Sequence, residues 1–311
     1  MTNSEPIIAV VCGGVSNERE VSLGSGQAVY SCLSESCQVE KIELQEAKLP
    51  IELDPKRHVV FSTLHGTFGE DGGFQALLEA AGVEYAGCNS ESSRLTFDKS
   101  QAKKALRQAG APVLPEIVFD RKTPPDAVET FDILGGPVVL KPLKEGSSIG
   151  LDFADTPEEL ERLLKNLVFD SWMLEKRVVG REVSIGVING EALGIVEIRP
   201  KSGRYDFESK YTKGKTDFVA PAPITESLGE RVRAIACNSY RACGCRDYAR
   251  IDLMIDGSDQ PFVLELNTIP GMKETSLMPM SAGCQGLNFK AMLKCIIERA
   301  ILRFRTKYSI C

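Results

Sequence analysis

The chain is poor in histidine, with two among its 311 residues. That scarcity argues against a zinc cluster. Its ten cysteines do not fill the gap, because they are scattered and Cys243-Gly-Cys245 is not metal-finger spacing. The expectation is free thiols, mostly buried, in a reducing cytosol. No apolar run approaches the roughly 20 residues that a membrane helix requires. Met-Thr-Asn-Ser-Glu-Pro at the start lacks the basic segment of a secretion signal, so none is expected. Positive charge is not in excess either: 37 basic residues face 43 acidic ones, a formal net charge of −6. Nucleic acid and anionic membranes are therefore not the expected partners, although a local basic cluster could hold a small anion. Two phosphate-loop patterns are also missing. G-x-x-x-x-G-K-[ST] does not occur, and Gly13-Gly14-Val15-Ser16 lacks the G-x-G-x-x-G spacing of a dinucleotide dehydrogenase. There is no repeat and no low-complexity segment.

What is present is an ordinary globular composition, 43% hydrophobic and 26% charged, in a chain long enough for two or three domains. Apolar runs at 7–12 and 59–64 close on Gly13-Gly14 and His65-Gly66. Helical patterns at 18–33 and 74–81 follow them, and 83–86 reads as a short strand. Asn17 and Glu20 have the spacing of a capping box. This alternation predicts an open parallel α/β unit over residues 1–93. A helix at 97–109 stops at Gly110. Strands at 116–119, 138–141 and 171–176, with helices at 125–134 and 157–167, predict a small antiparallel α+β unit over 94–178. The third unit, 179–311, opens with a hairpin of 181–188 and 192–198 around Asn189-Gly190. A polar loop at 201–216, a helix at 228–243, strands at 250–255 and 262–267 and a last helix at 289–304 complete it.

Two stretches carry chemistry. In VVLKPLKEGSSIGL an apolar run ends on Lys141, and Gly146-Ser147-Ser148 follows. Backbone N–H groups of such a small-residue loop can form an anion nest. In ARIDLMIDGSDQPFVLELNTIPGM the turn at Asp256-Gly257-Ser258-Asp259 predicts an antiparallel pair. Residues two apart share a strand face, so Ile251, Leu253 and Ile255 point one way, and Arg250 and Asp252 the other. On the second strand Leu264 and Leu266 should oppose Glu265 and Asn267. With Arg250 or Asp252 opposite Glu265, two carboxylates and an amide converge, an oxygen-rich set suited to Mg²⁺ or Mn²⁺. Mg²⁺ commonly shares its shell with substrate phosphates, which joins the two stretches. WMLEKRVVGRE adds Glu175, Lys176 and Val178 for an adenine edge and Glu182 for a ribose.

In order along nearly the whole chain, GGVSNEREVSLGSG, LHGTFGEDGGFQALLEAAGVEYAG, DKSQAKKAL, KPLKEGSSIG, YDFESKY, RIDLMI and LELNTIPGM…TSLMP resemble the D-alanine–D-alanine ligases of the ATP-grasp superfamily. The resemblance implies an N-terminal α/β unit followed by two α+β subdomains enclosing ATP. It implies that two D-alanines are joined at the expense of ATP for peptidoglycan, with two Mg²⁺ or Mn²⁺ ions, in a cytoplasmic and usually dimeric enzyme. Lys99 and Lys141 match the phosphate lysines, and Glu175, Lys176, Val178 and Glu182 the adenine and ribose contacts. Asp252, Glu265 and Asn267 match the metal ligands. Glu18 matches the holder of the first D-alanine's amino group, with Ser147 and Tyr211 as its hydrogen-bonding partners. Arg250 and the Gly271 N–H match the oxyanion stabilisers. Ser276, Leu277 and Lys210 match the holders of the second carboxylate, Lys210 also lying toward the nucleotide. His65 matches a histidine near the first substrate. Lys273 departs from the pattern, which usually has threonine there. Related ligases that join D-alanine to D-serine or D-lactate, and a nucleotide-binding regulator without catalysis, are the alternatives.

Overall fold

The computed structural model describes residues 5–146, 148–203, 209, 210, 212 and 214–308. Ser147 and Tyr211, expected beside Glu18, lie outside the described residues. Three sheets organise them.

The first sheet is parallel, in the order β2-β1-β3-β4, from β1 (Ile7–Gly13), β2 (Val39–Leu44), β3 (His58–Ser62) and β4 (Glu84–Ala86). A parallel sheet is covered on both faces, and β1 is accordingly an unbroken apolar run. Ile8 and Val10 pack against Val29 and Leu33 of α1 (Arg19–Ser34). Ala9 and Val11 face Phe74 and Leu78 of α2 (Gly73–Ala81). The expected α/β alternation is found, with β2 as an additional strand.

The second sheet is antiparallel, in the order β5-β8-β6-β7. Its strands are β5 (Glu116–Asp120), β6 (Val138–Pro142), β7 (Asp152–Ala154) and β8 (Ser171–Lys176). Helices α5 (Ala127–Leu134) and α6 (Pro157–Leu164) lend Leu134 and Leu160 to its core. Before it come α3 (Ser90–Phe97) and α4 (Lys99–Gln108), where one helix at 97–109 was expected. Asp98 separates them: its carboxylate caps α4 by accepting from the N–H groups of Ser100 and Gln101.

The third sheet is antiparallel, in the order β11-β10-β9-β12-β13. It is built from β9 (Gly180–Ile188), β10 (Glu191–Pro200), β11 (Thr216–Val219), β12 (Tyr248–Asp256) and β13 (Pro261–Asn267). Helix α7 (Glu226–Ala242) covers one face through Leu228, Val232 and Ala236, and Leu106 of α4 joins the same core. A short helix, α8 (Leu277–Gly283), seats Met278 against β9 at Gly186, where a Cβ would lie 2.7 Å from its sulfur. The last helix, α9 (Phe289–Tyr308), returns to the first sheet. Met292, Leu293, Ile296 and Phe304 share a core with Ile8 and Val10.

Two local expectations are corrected. There is no capping box at α1: the helix starts after Glu18, and no side chain caps it. The Glu18 carboxylate is turned instead between two loops, as described below. The β12–β13 alternation also breaks. A bulge between Asp252 and Leu253 pairs Asp252 with Glu265 but Leu253 with Val263. Leu264 therefore turns to the same side as Glu265 and lines a cavity with it, while Val263 and Leu266 enter the core.

Candidate active site

A cavity of about 400 Å³ lies between the second and third sheets. Lys99, Lys141, Glu175, Lys176, Val178, Glu182, Lys210, Asp252 and Glu265 all line it. They come from α4, β6, β8, β9 and β12–β13, with Val178 and Lys210 from the connections after β8 and β10, so residues 166 positions apart in the chain meet there.

Lysines gather at one end. Lys99 opens α4 and donates to the Glu145 carbonyl at 2.6 Å. Burial lowers the pKa of Lys99, with Lys141 and Lys210 also pressing it down and Glu265 opposing. Such an arrangement of crowded, dehydrated ammonium groups favours a polyanion that can separate them. Lys141, from β6, donates to Glu175 Oε2 at 2.7 Å. The other oxygen of Glu175 accepts from Lys103, a residue absent from the sequence-based expectations. Lys103 is buried, also donates to the Leu114 carbonyl at 2.9 Å, and pairs with Glu116 at 3.1 Å. Burial pushes the Glu175 carboxyl up, but the two lysines outweigh it and hold the pKa below the ordinary value. Lys103 was legible as a cation one turn after Lys99, on the same helix face.

The acidic end is built on the bulged hairpin. Asp252 accepts from Ser184 Oγ at 2.6 Å and from Arg250 Nε and Nη2 at 2.9 and 2.7 Å. Arg250 thus grips it in a bidentate, planar arrangement. Asn267 Nδ2 reaches Asp252 Oδ2 at 3.2 Å and Glu265 Oε1 at 3.4 Å, so the three side chains meet around one point. Of the two registers left open by the sequence, Asp252 opposite Glu265 is the one found, with Arg250 opposite Asn267. Burial would raise Glu265, but Lys210, Lys99, Arg250 and Lys141 together bring its pKa down to about 2. Among the described residues no three His, Cys, Asp or Glu side chains surround a common point. The donor set is instead two carboxylates and an amide whose oxygen could turn toward them. Such all-oxygen donors fit a hard divalent cation. Glu182 behaves oppositely. Burial, reinforced by Asp252 and Glu265 and opposed by Lys210, raises it to about 8.

The remaining residues border a second region beside the first sheet. Glu18 is 8% exposed. A Cβ on Gly66 would lie 2.9 Å from its Oε2, and one on Gly146 2.8 Å away, so the two loops close on this carboxylate because both are glycine there. His65 follows β3. Its Nδ1 is 3.2 Å from Glu70 Oε1 and its Nε2 3.3 Å from Ser25 Oγ. Neither Ser25 nor Glu70 was expected from sequence. Gly271 lies against Ser276, whose Oγ accepts from the Lys273 N–H at 3.2 Å and precedes Leu277 at the start of α8. The Lys273 side chain runs across α1: a Cβ on Gly24 would be 2.3 Å from its Cε.

The family models described as the D-ala D-ala ligase N-terminus and the D-ala D-ala ligase C-terminus match residues 37–88 and 105–298. The chain belongs to the D-alanine–D-alanine ligase family. It is 39% identical over 302 residues to a D-alanine–D-alanine ligase of Methylacidiphilum infernorum, covering 96% of each chain. Its fold superposes with a TM-score of 0.84 on a D-alanine–D-alanine ligase from Bacillus anthracis complexed with ATP, at 30% identity, covering 97% of this chain and 99% of that one. The same TM-score, 0.84, relates it at 27% identity to the VanG D-Ala:D-Ser ligase of Enterococcus faecalis, covering 96% of this chain and 100% of that one. The fold is the ATP-grasp fold, an open parallel α/β unit followed by two antiparallel α+β sheets.

The cysteine expectation holds in part. Cys12, Cys88, Cys243 and Cys245 are buried free thiols, and the other five described cysteines are free and half-buried. No helix among the described residues is long and apolar enough to cross a membrane.

Proposed function

We propose that the chain joins two D-alanines into D-alanyl-D-alanine, with ATP converted to ADP and phosphate, for peptidoglycan precursor synthesis. The observation that carries this reading is the cavity itself: a cluster of lysines faces an Asp–Glu–Asn set across one nucleotide-sized space. A carboxylate is a poor electrophile, and phosphoryl transfer from ATP gives an acyl phosphate with a good leaving group. Lys99 and Lys141 hold the phosphates, with Glu175 fixing Lys141 in place. Glu175, Lys176 and Val178 border the adenine and Glu182 the ribose. A divalent cation held by Asp252, Glu265 and Asn267, two in all by family resemblance, would neutralise charge on the transferring group.

Glu18 holds the first amino group, and Ser276, Leu277 and Lys210 hold the second carboxylate. Arg250 and the Gly271 N–H stabilise the oxyanion formed when the second amine attacks; one such donor is worth roughly 3 kcal/mol of barrier. The reading carries with it units at 1–93, 94–178 and 179–311, expected from the alternation of strands and helices, and, from the resemblance, a homodimer and a cytoplasmic setting. Segment 201–216, of which 204–208, 211 and 213 lie outside the described residues, is assigned the role of keeping water from the acyl phosphate.

The test is phosphate release with ATP and Mg²⁺ in the presence of D- or L-alanine. Release that depends on D-alanine supports the reading, whereas nucleotide binding without turnover would favour a regulator. The likeness to a D-Ala:D-Ser ligase gives a second arm, product analysis in mixtures of D-alanine with D-serine or D-lactate. D-alanyl-D-alanine should dominate. By family resemblance the ligases that accept D-lactate lack a tyrosine at the position of Tyr211, so Tyr211→Phe should increase ester formation with D-lactate, and unchanged selectivity would count against that role.

A further inference from the structure

The loop after β13 is tied to the first sheet by a chain of four groups that the reaction scheme above leaves unused. The Met272 N–H donates to Ser25 Oγ at 3.2 Å, across 247 positions of sequence. Ser25 Oγ lies 3.3 Å from His65 Nε2, and His65 Nδ1 lies 3.2 Å from Glu70 Oε1. Ser25 is 1% exposed, His65 6% and Met272 0%, so water does not compete for the two bonds at Ser25.

With the ring neutral, one arrangement of hydrogens satisfies every group. Glu70 as a carboxylate only accepts, so the proton between it and the ring sits on Nδ1. Ser25 has one hydroxyl proton and already accepts from Met272. It is satisfied by donating to Nε2, which in the neutral ring is an acceptor. The opposite tautomer would aim a lone pair at the carboxylate. Every bond then runs in one direction, from Met272 through Ser25 and His65 to Glu70, and both ring nitrogens are engaged.

We propose that Ser25, His65 and Glu70 form a positioning relay that sets the backbone of Gly271-Met272 from the first sheet. The role of His65 is thereby indirect: it aims Ser25 rather than binding substrate through a ring nitrogen. This inference rests on the reading of the Gly271 N–H as an oxyanion donor. A peptide plane is stiff, so fixing the Met272 amide also limits how the preceding residue can rotate. A misplacement of about 1 Å at such a donor can cost about a hundredfold in rate.

Steady-state kinetics of the full chain with ATP, Mg²⁺ and D-alanine test the relay through a double-mutant cycle. Ser25→Ala should lower kcat about tenfold to a hundredfold, with the KM for ATP changed by no more than about twofold. Glu70→Leu, which does not touch Ser25 directly, should lower kcat as well. The double variant should be no slower than Ser25→Ala, because without the hydroxyl the ring has nothing left to aim. Losses that multiply, or an unchanged kcat in Ser25→Ala, overturn the relay. ADP binding and the thermal midpoint report folding. Should Ser25→Ala not fold, Ser25→Cys replaces it in the cycle with the same two outcomes. A wild-type chain that makes no dipeptide counts against the ligase reading, whereas an active wild type with multiplying losses counts against the relay alone.

Discussion

At the scale of single residues, Asp252 and Glu182 show how the same cleft treats two carboxylates differently. Asp252 is gripped by Arg250, Ser184 and Asn267. Asp252→Asn keeps the volume but removes the charge that pairs with Arg250. It should lower D-alanine-dependent phosphate release at least about a hundredfold, and saturating ATP should not restore it. Glu182 has no such partners among the described residues and is raised to about 8, first by burial. Its folded pKa lies above the unfolded value of 4.5, so the folded state retains a proton that the unfolded chain loses. The stability of the ligand-free protein should therefore fall as pH rises from about 4.5 to about 8. Thermal midpoints measured across that window should decline less in Glu182→Gln than in the wild type. Most of these site residues were legible from motif and spacing. Lys103 had only its helix spacing from Lys99 as a signal, and Ser184, Ser25 and Glu70 had none. Each acts on another side chain, and such partners are fixed by packing between segments far apart in sequence.

Elements show where local sequence rules end. The Asn189-Gly190 hairpin formed as its turn chemistry dictates, with Asn189 at φ 53° and Gly190 at φ 86°. Helix α3 went unread because its Ser-rich sequence is weakly apolar, although Asn89 caps it by accepting from the Ser92 N–H at 2.8 Å. The capping box at α1 failed because the cap-position carboxylate of Glu18 is drawn into the space between Gly66 and Gly146. The β12–β13 bulge was invisible because strict alternation assumes an unbroken ladder. The turn after β3 is more exacting. A Cβ on Gly69 would lie 1.8 Å from the Leu64 carbonyl oxygen, and that oxygen belongs to the backbone. Gly69→Ala should destabilise the fold by about 1–3 kcal/mol in urea melts. It should also lower kcat, because the turn carries His65 and Glu70 of the relay.

Across the whole molecule, one ion pair gathers three elements. Asp247, just before β12, is 4% exposed and accepts from Arg303 of α9 at 2.9 and 2.7 Å and from the Gly87 N–H at 2.9 Å. Arg303 also donates to the Tyr85 carbonyl at 2.8 Å on β4. Arg303→Met would leave the Asp247 charge buried with one donor. It should cost about 3 kcal/mol, the low end for a broken buried pair because the arginine is partly exposed. Denaturant unfolding of the variant, read by far-UV circular dichroism, measures the loss.

By itself the sequence determined the parallel and antiparallel units, the lysines and the Asp–Glu–Asn set of the last hairpin, because strand period, turn residues and motif order are local properties. Tertiary structure alone decided that α9 closes over the first sheet and that Leu264 shares a face with Glu265. It also joined Ser25 to Met272 across the seam between sheets. Those outcomes depend on which surfaces bury one another, and no window of neighbouring residues contains that information.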